Sequence, residues 1–276
     1  MNEQTIATID AVAPLPTGLQ VAARLGEELD LFSLGSDGRV LWHPKGARLR
    51  HLVERVVSDA HFEHDYELAS APLDFFARRE HVLPLRLAHL GDPGSATIFV
   101  APEQVAAERE RAYDFGAQLL RTFGLPGDAV RIDLDERAGL APVVVLRRRL
   151  FDSIDQLVGA LVEHHAGAFP LWLAPLQARV ITGTDAHQPW ADQVRRALAA
   201  MGLRVDVDHS GDKLAAKVRN AQFDKIPLLL VCGDKEVAAG AVAPRTREGQ
   251  QMPAMPLAEF AQWMEHEAQI PRPVRA

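Results

Sequence analysis

The stretch IPLLLVCGDKEVAAGAVAPRTR, residues 226–247, decides the fold class of the second half of the chain. An apolar run is followed by DKEVAAG and then by a second run rich in small and branched residues. Short runs of this kind, bounded by glycine and proline, are typical of β-strands. We therefore expect two neighbouring strands here, joined by a turn over residues 234–240.

Strand and helix patterns alternate on both sides of this stretch. Strands are expected at ARVITG and RVDVD, and helices at about 189–201, 212–223 and 257–267. This alternation is typical of α/β layers, so we expect a three-layer α/β domain over residues 168–276. Residues 1–28 suggest a tail leading into a short helix, and residues 29–167 form a separate domain.

The domain at 29–167 contains hairpin signals and long amphipathic helices. Asp92-Pro93-Gly94-Ser95 is predicted to be a tight turn, because proline presets one turn dihedral and glycine accepts positive φ. A helix over about 45–64 carries an apolar stripe that includes Leu49, Leu52, Val53 and Val56. The stripe packs either on the chain's own sheet or on a second subunit.

Composition excludes several classes of protein. The net charge is −7, with 17 Lys and Arg against 25 Asp and Glu in residues 1–167, and 13 against 12 in 168–276. A generic DNA-binding or other nucleic-acid-binding protein usually has a basic surplus, so any RNA contact is expected in the second part. No uncharged apolar run reaches the roughly 20 residues of a membrane span. We expect a soluble, cytoplasmic protein without a membrane segment.

Motifs for common catalytic sites are missing from the sequence. There is no glycine-rich dinucleotide or P-loop motif, no Gly-x-Ser-x-Gly elbow and no His-Glu-x-x-His helix. Cys232 is the single cysteine, so neither an internal disulfide nor a cysteine-rich zinc site is expected. The run Arg147-Arg148-Arg149 is interpreted as a solvated or ion-paired surface, with phosphate contact as the alternative.

Residues 233–236, Gly-Asp-Lys-Glu, follow the end of a buried strand, where open α/β sheets often place ligand contacts. A solvated turn explains the spacing equally well. If the position is a binding site, Glu236 can accept a hydrogen bond from a base amino group. Arg245 can then donate two hydrogen bonds to a base or a phosphate.

From residue 166 onward the chain resembles the anticodon-binding domain of threonyl-tRNA synthetases. The resemblance is carried by AGAFPLWLAPLQ (166–177), DKLAAKVRNAQFDKIP (212–227) and LLVCGDKEVAAGAVAPRTREG (229–249). Upstream, LDLFSLGSDGRVLWHPKGARLRHLV (29–53) and SIDQLVGALVEHHAGAFP (153–170) resemble the same family in the same order. This resemblance implies a reduced class II synthetase-like antiparallel core, of the α+β type, before the α/β anticodon-binding domain.

The resemblance also implies what the core has lost. The family's second motif uses a long loop with an arginine for ATP, where this chain has only a short turn. Its third motif places an arginine where this chain has Gln156. Its zinc ligands have no counterpart here, since Arg147 occupies one aligned position. We therefore expect no catalytic residues, no metal, no cofactor and no threonine activation.

The family's contacts with anticodon bases are better preserved. The positions that match or flank them, and that we expect to bind tRNA, are Lys213, Arg219, Lys235, Glu236, Arg245 and Arg247. Gly211 replaces an asparagine of the family pattern, which favours weakened or altered base specificity. The resemblance also implies dimerisation through the region 45–72, with Leu49, Leu52, Val53, Val56 and Pro72 at the interface.

Three functions are compatible with these observations. The leading hypothesis is a non-catalytic protein that binds threonine tRNA through residues 168–276. The second is a regulatory or assembly partner, forming a homodimer or a heterodimer with a true synthetase through the class II dimer surface. The third is a ligase with redirected amino-acid specificity.

Overall fold

The computed structural model describes residues 18–35, 39–69, 84–89, 92–127, 137–138 and 143–271. Of these, residues 18–22 and 50–164 form one compact unit, and residues 23–49 and 165–271 form another. The sequence-based domain boundaries remain a prediction, because compactness does not measure independent folding. Within the described residues, no helix has the length and apolarity needed to cross a membrane.

The helices and strands are numbered in chain order over the described residues. The helices are α1 (Gly18–Glu28), α2 (Pro44–Glu63), α3 (Val105–Thr122), α4 (Ile154–His164), α5 (Gln188–Ala200), α6 (Leu214–Phe223), α7 (Asp234–Ala239) and α8 (Leu257–Glu267). The strands are β1 (Phe32–Leu34), β2 (Val40–Trp42), β3 (Glu67–Ala69), β4 (Leu85–His89), β5 (Asp92–Val100), β6 (Arg137–Ala138), β7 (Val144–Arg149), β8 (Ala178–Thr182), β9 (Val205–Asp208), β10 (Leu228–Cys232), β11 (Ala241–Thr246) and β12 (Met255–Pro256).

A five-stranded sheet in the order β3-β4-β5-β7-β6 forms the centre of the first unit. Every neighbouring pair is antiparallel except β3 with β4. Directly opposed residues of antiparallel strands share a face, so Ala96 and Arg148 point to the same side. Helices α2 and α3 cover that side, since His61 and Phe115 both contact Arg148. The antiparallel core expected from the sequence is confirmed.

The hairpin between β4 and β5 is tighter than the sequence predicts. Strand β4 ends at His89, β5 begins at Asp92, and these two residues pair with each other. The predicted turn at residues 92–95 is therefore wrong, and those residues begin β5. Ladder bonds explain the difference, because Ser95 pairs with Arg149 and the carbonyl of Gly94 accepts from the N–H of Leu150 at 2.9 Å.

Helix α2 buries its apolar stripe within the chain itself. The four predicted interface residues of this helix have relative exposures of 0–6%: Leu49, Leu52, Val53 and Val56. Phe62, on the opposite side of α2, is exposed. Pro72, the fifth predicted interface residue, lies outside the described residues. These exposures favour packing within the chain, the other interpretation of the stripe, and the interface stays a prediction.

The second unit is built on a sheet in the order β12-β11-β10-β8-β9. Strands β9, β8 and β10 are parallel, and β11 runs antiparallel to β10. Helices α5 and α8 pack on one face, where Val194 and Phe260 join the apolar core. Helix α6 packs on the other face through Ala221. This arrangement confirms the predicted three-layer α/β fold.

Residues 234–239 form the short helix α7 rather than the predicted turn. A carboxylate oxygen of Glu236, Oε2, accepts a hydrogen bond from the N–H of Gly233 at 2.9 Å. It thereby satisfies a donor at the helix start. The helix ends at Gly240, whose φ of 60° is the left-handed conformation that favours glycine. The hydrogen bond at the start and the glycine at the end both favour this six-residue helix.

Residues 23–49 are closely packed, both within the segment and against the rest of the second unit. A Cβ atom on Gly46 would lie 1.9 Å from the carbonyl oxygen of Leu31, so only glycine fits there. A Cβ atom on Gly167 would similarly meet the side chain of Leu29 at 2.1 Å. The guanidinium of Arg48 also donates to the carbonyl of Pro175 at 3.3 Å.

Candidate nucleic-acid interface

The parallel strands β8, β9 and β10 end at one edge of the second sheet. Their last residues are Thr182, Asp208 and Cys232, and the following loops meet at this edge. Parallel sheets commonly bind ligands at the carboxyl ends of their strands. Three of the predicted tRNA-binding residues lie at or beside this edge, namely Lys213, Lys235 and Glu236.

Glu236 is held in place at the first turn of α7. Its Oε2 is occupied by the N–H of Gly233, whereas its Oε1 accepts no hydrogen bond from the described residues. The preceding residue, Lys235, is exposed to solvent. The pair therefore presents one free carboxylate oxygen and one ammonium group. Such a pair can accept from a base amino group and attract a phosphate.

Lys213 occupies the N-cap position of α6 and is exposed. The neighbouring Lys217 is buried, and its ammonium donates to the carbonyl of Asp208 at 3.2 Å. Burial would raise the pKa of the Asp208 carboxyl. Hydrogen bonds from Ser210 and the charges of Lys217 and Arg179 outweigh this effect and lower it. These contacts fix the start of α6, and with it Lys213, to the end of β9.

A histidine that the sequence analysis did not single out joins two loops of the same edge. His187 Nε2 lies 2.9 Å from Asp234 Oδ1, and His187 Nδ1 lies 3.3 Å from Thr184 Oγ1. The ring is buried, whereas the Asp234 carboxylate is fully exposed. The contact ties the loop after β8 to the first residue of α7. Because 47 residues separate the two partners, no local pattern could have indicated it.

Arg245 lies on the sheet face that α6 partly covers. It pairs with Leu229, and Ala243 pairs with Val231, so all four side chains share this face. The three residues Val231, Ala243 and Arg245 are only half-buried, whereas Val242 on the opposite face is fully buried. A strip of this face beside α6 is therefore open, with Arg245 roughly 10 Å below the carboxyl edge of β10.

The guanidinium of Arg245 is positioned by one backbone contact. Its Nε donates to the carbonyl of Gly249 at 3.1 Å, and Gly249 has a φ of 92° that favours glycine. No hydrogen bond of the described residues uses its two terminal nitrogens. The pair of terminal N–H groups can therefore form the fork that binds a base edge or a phosphate.

Arg247 and Arg219 occupy different environments. The Arg247 guanidinium donates to the carbonyls of Phe169 at 2.8 Å and Lys225 at 3.3 Å, and it contacts Glu248 at 3.0 Å. These contacts favour a structural role at the edge opposite to Glu236. Arg219, in contrast, is exposed on α6. Both residues remain predicted tRNA contacts, and Arg247 is the less accessible of the two.

Replacing Arg247 with methionine is expected to lower the free energy of unfolding of the second unit by about 1.5–3 kcal/mol. The reason is that the carbonyls of Phe169 and Lys225 lose a charged donor. Urea denaturation followed by circular dichroism measures the change. Arg219→Met is the matched control and should alter stability by less than about 0.5 kcal/mol. Equal stabilities of the two variants would contradict the structural role of Arg247.

In the first unit, Gln156, which the resemblance aligns with an arginine of the family, makes local contacts, and Arg148 is buried. The side-chain oxygen of Gln156, Oε1, accepts from the N–H of Asp152 at 2.8 Å, before the start of α4. Arg148 has 1% relative exposure, which corrects the interpretation of the Arg147–Arg149 run as surface. Alternation along β7 explains this burial, because Arg148 points to the face that α2 and α3 cover. Arg149 is exposed.

No group of three or more His, Cys, Asp or Glu side chains within the described ranges is arranged to hold a metal ion. Cys232 is buried, and burial raises the pKa of its thiol to about 12, with a further contribution from the charge of Glu236. This cysteine is therefore protonated at neutral pH and behaves as a core residue. That the chain has no catalytic residue and binds no cofactor stays a prediction.

Comparison with known proteins supports the description of the second unit. A family model described as anticodon binding domain matches residues 175–267. Threonine–tRNA ligase of Anaeromyxobacter dehalogenans is 52% identical over 128 residues, which cover 46% of this chain and 20% of that protein. This high identity therefore extends over only one fifth of the relative's length.

A longer and weaker similarity covers both units. Threonine–tRNA ligase of Syntrophotalea carbinolica is 28% identical over 386 residues, covering 88% of this chain and 60% of that protein. The chain thus spans less than two thirds of the length of these relatives. Because the chain has 276 residues, at least 110 positions of that alignment (386 less 276) have no counterpart in it.

Two solved structures share the fold. The RNA binding domain of threonyl-tRNA synthetase from Cryptosporidium parvum has a TM-score of 0.77 at 18% identity, covering 90% of this chain and 98% of that chain. Prolyl-tRNA synthetase from the same organism has a TM-score of 0.64 at 11% identity, covering 92% and 80%. These similarities confirm the fold class expected from the sequence.

Proposed function

Because the chain carries an anticodon-binding domain of class II tRNA synthetases and is homologous to threonine–tRNA ligases over most of its length, we propose that it binds threonine tRNA without activating an amino acid. The observation that carries this proposal is the free Oε1 of Glu236 at the carboxyl edge of the sheet. Lys213 and Lys235 are exposed beside it, and Arg245 offers two terminal nitrogens on the open strip.

The loss of catalysis is proposed from the first unit. At most two residues connect β4 to β5, too few to reach over a bound nucleotide. Gln156 is engaged with the N–H of Asp152, and its amide lacks the charge and the fork geometry of an arginine. At least 110 positions of the longer relative's matched region have no counterpart in this chain, so the chain is shorter than that relative over this region.

Filter binding at one fixed salt concentration tests the tRNA proposal. A threonine tRNA transcript should bind at least 10-fold more tightly than the same transcript with an altered anticodon, since base contacts discriminate by about 1–3 kcal/mol each. Glu236→Gln keeps the acceptor for Gly233 but removes the charge, and it should reduce this ratio. Glu259→Gln, an exposed change on α8, is the matched control. Equal weak affinities for both transcripts would refute specific recognition.

The non-catalytic part has a separate test. ATP/pyrophosphate exchange should stay at background with each of the standard amino acids, because the ATP loop and its arginine are missing. A threonine–tRNA ligase assayed in parallel shows that the conditions support exchange. Turnover with any amino acid would contradict this part of the proposal and would favour the ligase with redirected specificity.

The assembly alternative has less support. The four residues of the α2 stripe that were expected to face a partner have low exposure in the chain, which gives this alternative less support. Dimerisation, with a second copy or with a synthetase, remains a proposal that does not depend on these residues. Sedimentation of the protein alone and mixed with the host synthetase measures it.

A further inference from the structure

Phe223 is the most exposed large hydrophobic residue of the described part of the chain. Its relative exposure is 71%, compared with 64% for Leu41 and 55% for Phe62. It is the last residue of α6, whose buried residues Lys217 and Ala221 face the sheet. Two residues beyond Ala221, Phe223 lies about 200° further around the helix. Its ring therefore points away from the sheet into solvent.

The backbone beneath this ring is held by three contacts. The carboxylate of Asp224 pairs with Arg179 at 2.8 Å, and the N–H of Asp224 donates to the carbonyl of Asn220 at 2.9 Å. The side-chain amide of Gln222 donates to the carbonyl of Arg247 at 3.1 Å. These contacts fix the backbone that carries the ring. The exposed phenyl group can therefore contact a flat ligand without any rearrangement of the chain.

The charges around Phe223 favour a polyanion. Arg219 is exposed four residues earlier and on the same side of α6. Lys225 is exposed two residues later, and the nearby Asp224 carboxylate is paired with Arg179, a guanidinium that it shares with Asp206. An aromatic ring flanked by two cations is the combination that binds single-stranded nucleic acid, through base stacking and phosphate attraction.

The position of Phe223 is continuous with the proposed tRNA site. Lys213 caps the other end of α6, ten residue steps before Phe223, which is a rise of about 15 Å. A strand that contacts Lys213 at the carboxyl edge of the sheet can therefore pass Arg219 and reach Phe223. Lys213, Arg219 and Phe223 are thus exposed in this order along α6.

We propose that Phe223 is a stacking platform for an unpaired base of the bound RNA, with Arg219 and Lys225 holding the flanking phosphates. The inference rests on the proposed tRNA binding and extends that site along α6. Every base has a π-face, so this contact adds affinity and register rather than base identity. Specificity stays with Glu236 and Arg245.

The test uses the full chain and a threonine anticodon stem-loop RNA with 2-aminopurine at each unpaired position in turn. One position should show quenched fluorescence on binding to the unmodified protein, because its base stacks on the ring. Phe223→Ala should abolish this quenching and weaken binding by about 10-fold. Phe223→Leu should behave like alanine, whereas Phe223→Tyr and Phe223→Trp should retain binding.

Two controls separate stacking from other effects. Leu214→Ala, a change at another exposed residue of α6, should leave affinity and quenching unchanged. Arg219→Gln should reduce the slope of log affinity against log salt by about 0.7, the value for one phosphate contact on a single strand, whereas Phe223→Ala should not change the slope.

The outcomes are distinguishable. Binding by the unmodified protein that is unaffected by Phe223→Ala overturns this inference and leaves the proposed function standing. A change only in sedimentation of Phe223→Ala, with RNA binding intact, also overturns it and indicates a protein-docking residue instead. Failure of the unmodified protein to bind tRNA overturns both proposals.

Discussion

Replacing Glu108 with glutamine is expected to lower the free energy of unfolding of the first unit by about 3–5 kcal/mol. Glu108 and Arg86 are both buried. The Arg86 guanidinium donates to both carboxylate oxygens, with Nε to Oε2 at 2.8 Å. The substitution leaves a buried guanidinium without its counter-charge. Urea denaturation followed by circular dichroism measures the loss.

Glu110→Gln is the matched control, because Glu110 is exposed on the same helix, α3. It should change stability by less than about 0.5 kcal/mol. A double replacement, Arg86→Met with Glu108→Leu, should recover most of the loss, since removing both charges removes the penalty for burying either one. Equal stabilities of Glu108→Gln and Glu110→Gln would refute the role of this ion pair.

Acidification is expected to destabilise the first unit through His61, with a loss of about 1.4 kcal/mol per pH unit below pH 6.5. Burial, reinforced by the charge of Arg148, lowers the pKa of His61 from 6.5 to about 3. Between these values the unfolded chain binds a proton that the folded chain does not, so stability falls with pH. Above pH 6.5, where His61 is neutral in both the folded and the unfolded chain, this loss of stability is absent.

The contacts of His61 explain why the neutral form is required. Its Nδ1 donates to the carbonyl of Val57 at 2.7 Å, so Nε2 carries the lone pair that accepts from Arg148. The same guanidinium donates to the Tyr66 hydroxyl at 2.9 Å and stacks 4.2 Å from the centre of the Phe115 ring. Protonated His61 would lose the acceptor and oppose a buried cation.

His61→Gln tests this linkage, because its amide oxygen can still accept from Arg148. The free energy of unfolding is measured in urea at pH 7, 6, 5 and 4. Its slope against pH should be shallower in His61→Gln than in the unmodified protein by about 1.4 kcal/mol per pH unit, the value for one proton. His51→Gln, an exposed change on the same helix, should leave the slope unchanged. A slope that His61→Gln does not alter would contradict the lowered pKa of His61.

Much of the second unit could be predicted from local patterns. The predicted helix at 257–267 agrees with α8, and the strand-helix alternation agrees with the layers found. The turn at 234–240 was wrong because the contact between Glu236 and Gly233 stabilises a helix. The turn at 92–95 was wrong because pairing with β7 draws those residues into a strand. At 234–240 the deciding hydrogen bond is local, whereas at 92–95 it comes from a strand distant in sequence.

The sequence by itself determined the three-layer α/β class of the second unit, because strand and helix patterns alternate along this part of the chain. It also singled out Glu236 and Arg245. Only the tertiary structure decided that Arg247 bonds to the carbonyl of Phe169 and that Arg148 is buried against α2 and α3. Sequence alone gives no difference in environment between Arg148 and Arg149, or between Arg245 and Arg247. Their environments differ because chain segments distant in sequence pack beside each of them.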